Sequence, residues 1–174
     1  RKFIDGVIGQ TDRIYLQKIL SYNKILVQRN ALLKYFALNQ NFDKETIEIY
    51  NSQLSKLAKP IFEKRLSFLK SFIPLFIESY KEISGSKENV NIIYESDLKE
   101  KTTSDLLEES IDKDRAYKYT TKGIHKDDLA FTIMDQNIRK FGSFKFSHKF
   151  DVESLHPIIF SGKALASLVT ASTE

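Results

Sequence analysis

Residues 12–38, DRIYLQKILSYNKILVQRNALLKYFAL, decide the fold of this chain. The run contains neither Gly nor Pro, and its apolar side chains recur every three or four positions. They are Tyr15, Ile19, Tyr22, Leu26, Leu33 and Phe36, with Arg29 in the one missing place. This spacing predicts a single long helix with an apolar stripe that packs against a partner helix. At about 1.5 Å per residue the helix is expected to reach roughly 40 Å.

The partner helix is expected directly downstream. The polar connection NQNFDKET separates the two apolar patterns, and Asp43 within it is the predicted N-cap of the second helix. The apolar sides of residues 15–36 and 62–83 are expected to face each other. Together the two helices predict a long antiparallel hairpin.

Two prolines and a glycine punctuate the second helical pattern. Pro60 and Pro74 each remove a backbone donor, so a break or kink is expected at these positions. Gly85, in the sequence SGSK, is the predicted helix terminator because glycine readily adopts the left-handed backbone conformation.

Strand patterns follow the helical hairpin. Alternating apolar residues predict a strand at 89–96, and a short acidic helix is expected at 104–114. Residues 128–134 and 138–141 are predicted to form a β-hairpin around a turn at 135–137. The fold class is therefore expected to be α+β, with a long helical hairpin followed by a small strand-rich part.

Composition excludes several classes of protein. The chain contains no Cys, which excludes disulfides, thiolate zinc sites and cysteine nucleophiles and is compatible with a reducing cytosol. No apolar run approaches about 18 residues, so no membrane span is expected. The start RKFIDGVIGQ lacks Met and the apolar core of a signal peptide, and we expect the chain to be a fragment.

Charge is distributed unevenly within a net charge of +4. Residues 1–34 carry seven basic and two acidic residues, a balance of +5, whereas 95–114 carry eight acidic residues and three lysines, a balance of −5. A basic helix suits contacts with DNA phosphates, although such charges commonly form only a solvated face. The candidate DNA-binding residues are Arg13, Lys18, Lys24, Arg29 and Lys34.

One polar cluster raises the alternative of a small metal-dependent hydrolase. His125, Asp127 and Asp128 lie close in sequence, but adjacent aspartates on an extended chain point to opposite sides. His148 and His156 lie in an unpatterned tail. FSGKA at 160–164 fails to match a phosphate-binding loop, because the earlier glycine and the following Ser or Thr are missing. A polar loop is the preferred interpretation of the cluster, and neither a metal nor a catalytic residue is assigned.

Several stretches together resemble RecF, a bacterial family of recombination and gap-repair proteins. The family pattern Y-N-[KR]-[IVA]-L-x-Q-R-N-x-L-L is matched closely by Tyr22, Asn23, Lys24 and 28–33. KRLSFLKSFIP and EISGSKENVNIIYES are also similar to the family. YTTKGIHKDDLAF resembles the family form Y-T-x-x-G-P-H-[RK]-D-D-L, with Ile124 where most members have proline. The resemblance covers about residues 1–143.

The resemblance implies a part of an ABC-type ATPase related to the SMC proteins. It assigns 1–11 to the end of an N-terminal head segment and 12–87 to a helical arm. Residues 88–143 would return to the ATPase head, and 144–174 would form a divergent tail. In the intact family, ATP and Mg²⁺ join two heads into a dimer that binds single-stranded or gapped DNA. RecR and RecO are the implied partners, and the bacterial cytoplasm is the implied location.

The sequence departs from the family after Ser143. Members continue F-G-S-Q-G-Q-Q, whereas here Phe141, Gly142 and Ser143 are followed by FKFSHKFDVESL. Ser143 would be a remnant of the nucleotide-binding signature, and a frameshift or gene break is our hypothesis for the tail. Walker A, Walker B and an intact signature are missing, so the chain alone is expected neither to hold ATP nor to hydrolyse it. The alternative is a helical hairpin that binds another protein without binding nucleic acid.

Overall fold

The computed structural model describes residues 1–85, 89–133 and 136–137. In chain order, the helices and strands are α1 Lys2–Thr11, α2 Arg13–Leu38, α3 Lys44–Ser84, β1 Val90–Glu95, a 3-10 helix Asp97–Lys99, α4 Thr103–Glu109, α5 Ile111–Tyr117, β2 Asp128–Ile133 and β3 Gln136–Asn137. The chain divides into two compact units. The first contains residues 1–65 and 95–128, and the second contains 66–94 and the described residues from 129 onward. Ser143 and the tail 144–174 lie outside the described residues.

The two long helices begin where their capping residues predict. Asp12 precedes α2, and its Oδ1 accepts a hydrogen bond of 2.8 Å from the backbone N–H of Tyr15. Asp43 precedes α3 and accepts a bond of 3.1 Å from the N–H of Thr46, which confirms the predicted N-cap. These carboxylates satisfy backbone donors that have no partner inside the helix.

Helix α2 pairs with the first part of α3, and the expected register was wrong. Leu33 and Phe36 pack with Ile47 in one buried cluster. The Nε of Arg29 donates to Asn51 of α3 at 2.8 Å. We expected residues 15–36 to face 62–83. Because only 39–43 connect the helices, α3 turns back at once and its first turn meets the end of α2.

The break or kink expected at the prolines does not take the form of a break, since α3 is helical from Lys44 to Ser84, and the kink stays a prediction. Pro60 and Pro74 leave the carbonyls of Lys56 and Lys70 without their usual helical donors. Both lysines are exposed, so water can supply the missing bonds. Burial of neighbouring apolar residues, including the fully buried Ile61, offsets the loss. Gly85, at a φ of 65°, follows the last helical residue as predicted.

The expected acidic helix at 104–114 is divided into α4 and α5. A capping box stabilises the start of α4: the side chain of Thr102 accepts from the N–H of Asp105, whose carboxylate accepts from the N–H of Thr102. The two helices meet at Ser110, and α5 ends where Lys118 adopts a left-handed conformation with a φ of 61°.

Helix α1 was not anticipated, because Gly6 and Gly9 weaken its helical pattern.

The second unit contains the last part of α3 and a three-stranded sheet in the order β1-β2-β3. Alternate residues of β1 are buried, as its sequence predicts. Strands β2 and β3 are antiparallel with Ile133 opposite Gln136, which confirms the hairpin. Gln136 and Asn137 were expected in the turn but belong to β3. The remaining turn residue and the expected strand 138–141 lie outside the described residues.

Candidate functional site

Three of the predicted DNA-binding residues share one exposed side of α2. Arg13, Lys24 and Lys34 are all exposed. They are separated by eleven and ten residues, close to three helical turns of about 10.8 residues, and therefore by about 15 Å each along the helix axis. Lys18 is only half-buried but lies on a different side. None of the four forms an ion pair within the ranges that the structure describes.

The same side of α2 also carries exposed apolar residues. Leu20, Val27 and Leu38 have exposed fractions of 59%, 67% and 82%. Their separations of seven and eleven residues are close to two and three helical turns. The outward side of α2 is therefore a mixed surface of cations and apolar side chains, and α2 contains no acidic residue.

Arg29 does not belong to this surface, which corrects its assignment as a DNA-binding residue. Its side chain is fully buried. Nη1 donates to Asp114 Oδ2 and to Thr120 Oγ1, both at 2.7 Å, and Nε donates to Asn51. Asp114 is fully buried as well, and its Oδ1 accepts from the N–H and hydroxyl of Thr121. Arg29 therefore joins α2 to α3, α5 and the following loop, and a phosphate cannot reach it.

A second buried arginine, Arg65 of α3, was missed from the sequence. Nε and Nη2 donate to the two carboxylate oxygens of Asp5 at 2.9 and 3.0 Å. Nη1 donates to Asp127 at 2.8 Å and to the carbonyl of Ile124 at 3.0 Å. The signal was present, because Arg65 lies four residues from both Ile61 and Leu69 on the buried side of α3. A charge at such a position requires buried partners.

His125 is a structural residue of the loop between α5 and β2. Nε2 lies 3.1 Å from the carbonyl of Thr120, and Nδ1 lies 3.1 Å from the hydroxyl of Tyr22. Burial lowers the pKa of His125 to about 4, so the ring is neutral at pH 7. Burial also raises the pKa of Tyr22 well above its ordinary value. The geometry therefore assigns the proton to Nε2, which donates to Thr120, while Nδ1 accepts from Tyr22.

Gly123 permits the close approach of this loop to α2. Its φ of 121° is strained for any residue with a side chain. A Cβ at this position would also lie 2.9 Å from the hydroxyl oxygen of Tyr22. Both constraints require glycine here.

The hydrolase alternative receives no support from this arrangement. Both ring nitrogens of His125 are within hydrogen-bond distance of protein groups, and Asp127 is paired with Arg65. Within residues 1–85, 89–133 and 136–137, no group of three His, Asp or Glu side chains is placed to hold a metal ion. The cluster forms the polar interior of a connecting loop.

Over the same described ranges, no helix is both long enough and apolar enough to span a bilayer.

The sequence is similar to curated proteins named DNA replication and repair protein RecF. It is 56% identical over 143 residues to the protein of Flavobacterium johnsoniae, a match that covers 82% of this chain and 40% of that protein. Identity to the protein of Phocaeicola vulgatus is 41% over 143 residues, covering 82% and 38%. The chain thus spans about two fifths of the length of these relatives. No protein-family model matches the chain.

Solved structures show the same fold. The structure described as the recombination mediator protein RecF-ATP in the RecFOR pathway superposes with a TM-score of 0.72 at 27% identity. That match covers 82% of this chain and 40% of the other. A second RecF structure, with ATPrS, gives a TM-score of 0.73 at 24% identity and supports the fold alone.

Proposed function

Because the chain belongs to the RecF family over the residues that it shares with these relatives, we propose that it is part of a DNA replication and repair protein. That protein binds single-stranded or gapped DNA, and α2 supplies phosphate contacts. The relatives are named for replication and repair, and one similar structure is described within the RecFOR pathway. RecO and RecR are therefore the proposed partners of the whole protein in the bacterial cytoplasm.

The exposed side of α2 is the observation that carries the DNA proposal. Arg13, Lys24 and Lys34 present three cations along about 30 Å, with no acidic residue on the helix. A spacing of about 15 Å corresponds to four or five nucleotides of a B-DNA strand, which rises about 3.4 Å per nucleotide. Exposed cations at this spacing can contact phosphates four or five nucleotides apart and release their counterions.

ATP belongs to the proposal for the whole protein. A similar structure is described as RecF-ATP. The present sequence contains neither Walker motif, and Ser143 is the one residue assigned to a signature remnant. ATP, Mg²⁺ and an ATP-dependent dimer are therefore proposed for the whole protein only.

A labelled gapped duplex tests the proposal directly. Fluorescence anisotropy with the full chain at about 50 mM salt is expected to show saturable binding. Nonspecific dissociation constants at physiological salt are about 10⁻⁴ to 10⁻⁶ M, and lower salt strengthens such binding. Absence of binding at about 10⁻⁴ M chain would overturn the proposal. Blunt duplex and single strands of equal phosphate number measure the preference for a gap.

The exposed apolar residues favour a second candidate, a surface for another protein. Leu20, Val27 and Leu38 are exposed on the side of α2 that carries the cations. This candidate predicts that the chain associates with another protein and has no affinity for DNA. Replacing all three by Gln should then abolish association measured by sedimentation. The DNA proposal predicts instead that this variant still binds the gapped duplex.

A further inference from the structure

Two exposed tyrosines flank the left-handed residue that ends α5. Tyr117 is the last residue of α5, and Tyr119 follows Lys118. Their side chains have exposed fractions of 62% and 42%. The ring centroids lie 5.8 Å apart, with 39° between the ring planes. Because the rings are adjacent but not stacked face to face, aromatic surface remains available to a ligand.

Lysines lie close to this tyrosine pair in space or in sequence. Lys126 Nζ lies 5.1 Å from the centroid of the Tyr119 ring, and both Lys118 and Lys126 are exposed. Lys122 pairs with Asp97 at 2.8 Å. Between Tyr117 and Lys126 the sequence contains no acidic residue. An exposed aromatic surface with cations beside it can hold a base by stacking and its phosphate by charge.

Residues 95–114, the acidic segment before this loop, repel an anion less strongly than their sequence alone indicates. Half of its eight acidic residues are in ion pairs, one of them fully buried: Asp97 with Lys122, Glu109 with Lys101, Asp112 with Arg115 and Asp114 with Arg29. The charge balance of −5 for residues 95–114 counts only three lysines and omits Arg29, Arg115 and Lys122. Those three cations come from outside the segment, so the structure reduces the negative charge beside the tyrosines.

We propose that Tyr117 and Tyr119, with Lys118 and Lys126, form a stacking site for the bases of single-stranded nucleic acid. The proposal deepens the proposed function, on which it rests, because the single-stranded part of a gapped DNA offers unpaired bases. Stacking on aromatic side chains tolerates every base, since each base presents a π-face. The site thus distinguishes unpaired from paired DNA without reading sequence, whereas the cations of α2 contact any phosphate.

The test separates bases from phosphates. A labelled single-stranded dT oligomer of about 15 nucleotides is compared with an abasic oligomer of equal length, both titrated with the full chain. The two probes carry the same phosphate charge, so a difference in affinity reports the bases. The chain is expected to bind the dT oligomer about tenfold more tightly, a ratio within the range for one stacked base.

Substitutions of Tyr117 and Tyr119 test whether these two side chains cause the preference for the dT oligomer over the abasic one. The double variant Tyr117→Ala/Tyr119→Ala is expected to bind both probes equally, whereas Tyr117→Phe/Tyr119→Phe keeps the rings and the preference. Tyr35→Ala removes another tyrosine, 57% exposed on α2, and should also keep it. Equal binding of both probes by the unchanged chain would overturn the stacking site and leave the phosphate contacts standing. A preference that survives the double alanine variant would overturn it too. Failure to bind either probe would overturn the stacking site, and failure with the gapped duplex as well would overturn the proposed function.

Discussion

Arg29 and Asp114 are 85 positions apart in the sequence and are joined by a buried ion pair of 2.7 Å. Arg29 lies on α2 and Asp114 on α5, and neither side chain is exposed. Each buried charge is thus compensated by the other and by neighbouring hydrogen-bond partners. The pair fixes where the loop after α5 lies against α2, and that loop carries His125 and Tyr119 and directly follows Tyr117.

Breaking this pair should destabilise the first unit strongly. Arg29→Ala leaves Asp114 buried without its cation, and such a loss lowers the free energy of unfolding by about 3–5 kcal/mol. Urea unfolding followed by circular dichroism measures the change. Lys24→Ala removes an exposed cation of the same helix and should change stability by no more than about 0.5 kcal/mol. Equal stability of the two variants would show that Arg29 is not an interior residue.

Gly123 should not tolerate a side chain. Gly123→Ala forces a φ of 121° on alanine and brings a Cβ to 2.9 Å from the Tyr22 hydroxyl oxygen, so thermal unfolding should occur at a lower temperature. The comparison variant is Gly6→Ala in α1, where the described residues place no atom within 4 Å of the added Cβ, apart from the adjoining backbone of the helix itself. That change should be neutral or stabilise the chain by up to about 1 kcal/mol. In a Tyr22→Phe background the steric part of the Gly123→Ala effect should diminish while the backbone strain remains. If Gly123→Ala lowers the unfolding temperature no more than Gly6→Ala does, the described loop conformation is contradicted.

His125 should make stability depend on pH. Its pKa is lowered from an ordinary 6.5 to about 4, so between these values the unfolded chain binds more protons than the folded one. The free energy of unfolding therefore falls as the pH decreases from about 6.5 to about 4, by at most about 3 kcal/mol from this residue. Unfolding by urea at several pH values measures the slope. His125→Gln cannot titrate and should flatten the profile in this window. An unchanged profile would mean that His125 is not held neutral.

The apolar periodicity of α2 correctly predicts its buried side, but the assignment of Arg29 to the exposed DNA-binding cations is wrong. Arg29 occupied a place in the apolar stripe, which correctly indicated burial, yet it was grouped with exposed cations by its charge alone. Its partners Asp114 and Thr120 lie far away in the sequence, and helical periodicity carries no information about such contacts. Arg65 likewise occupies a buried position of α3, and its partners Asp5 and Asp127 are also far away in the sequence.

Local signals predicted helix ends better than helix pairing. Asp43 and Gly85 act over one turn, so their roles could be read from neighbouring residues. The prolines were expected to interrupt α3 because they remove local hydrogen bonds, but burial of residues such as Ile61 outweighs this loss. Which part of α3 meets α2 depends on the short connection 39–43, and the apolar pattern alone did not reveal it.

The salt dependence of DNA binding tests most directly the claim that the outward side of α2 contacts phosphates. The slope of log Kobs against log salt is measured for a gapped duplex with the unchanged chain and with Arg13, Lys24 and Lys34 all replaced by Ala. Replacing the exposed Lys56, Lys59 and Lys70 of α3 by Ala gives a control with the same loss of three charges. Each lost phosphate contact makes the negative slope shallower by about 0.9, so the slope of the α2 variant should be shallower by up to about 3 while the control keeps the original slope. Equal slopes for all three proteins would contradict the account.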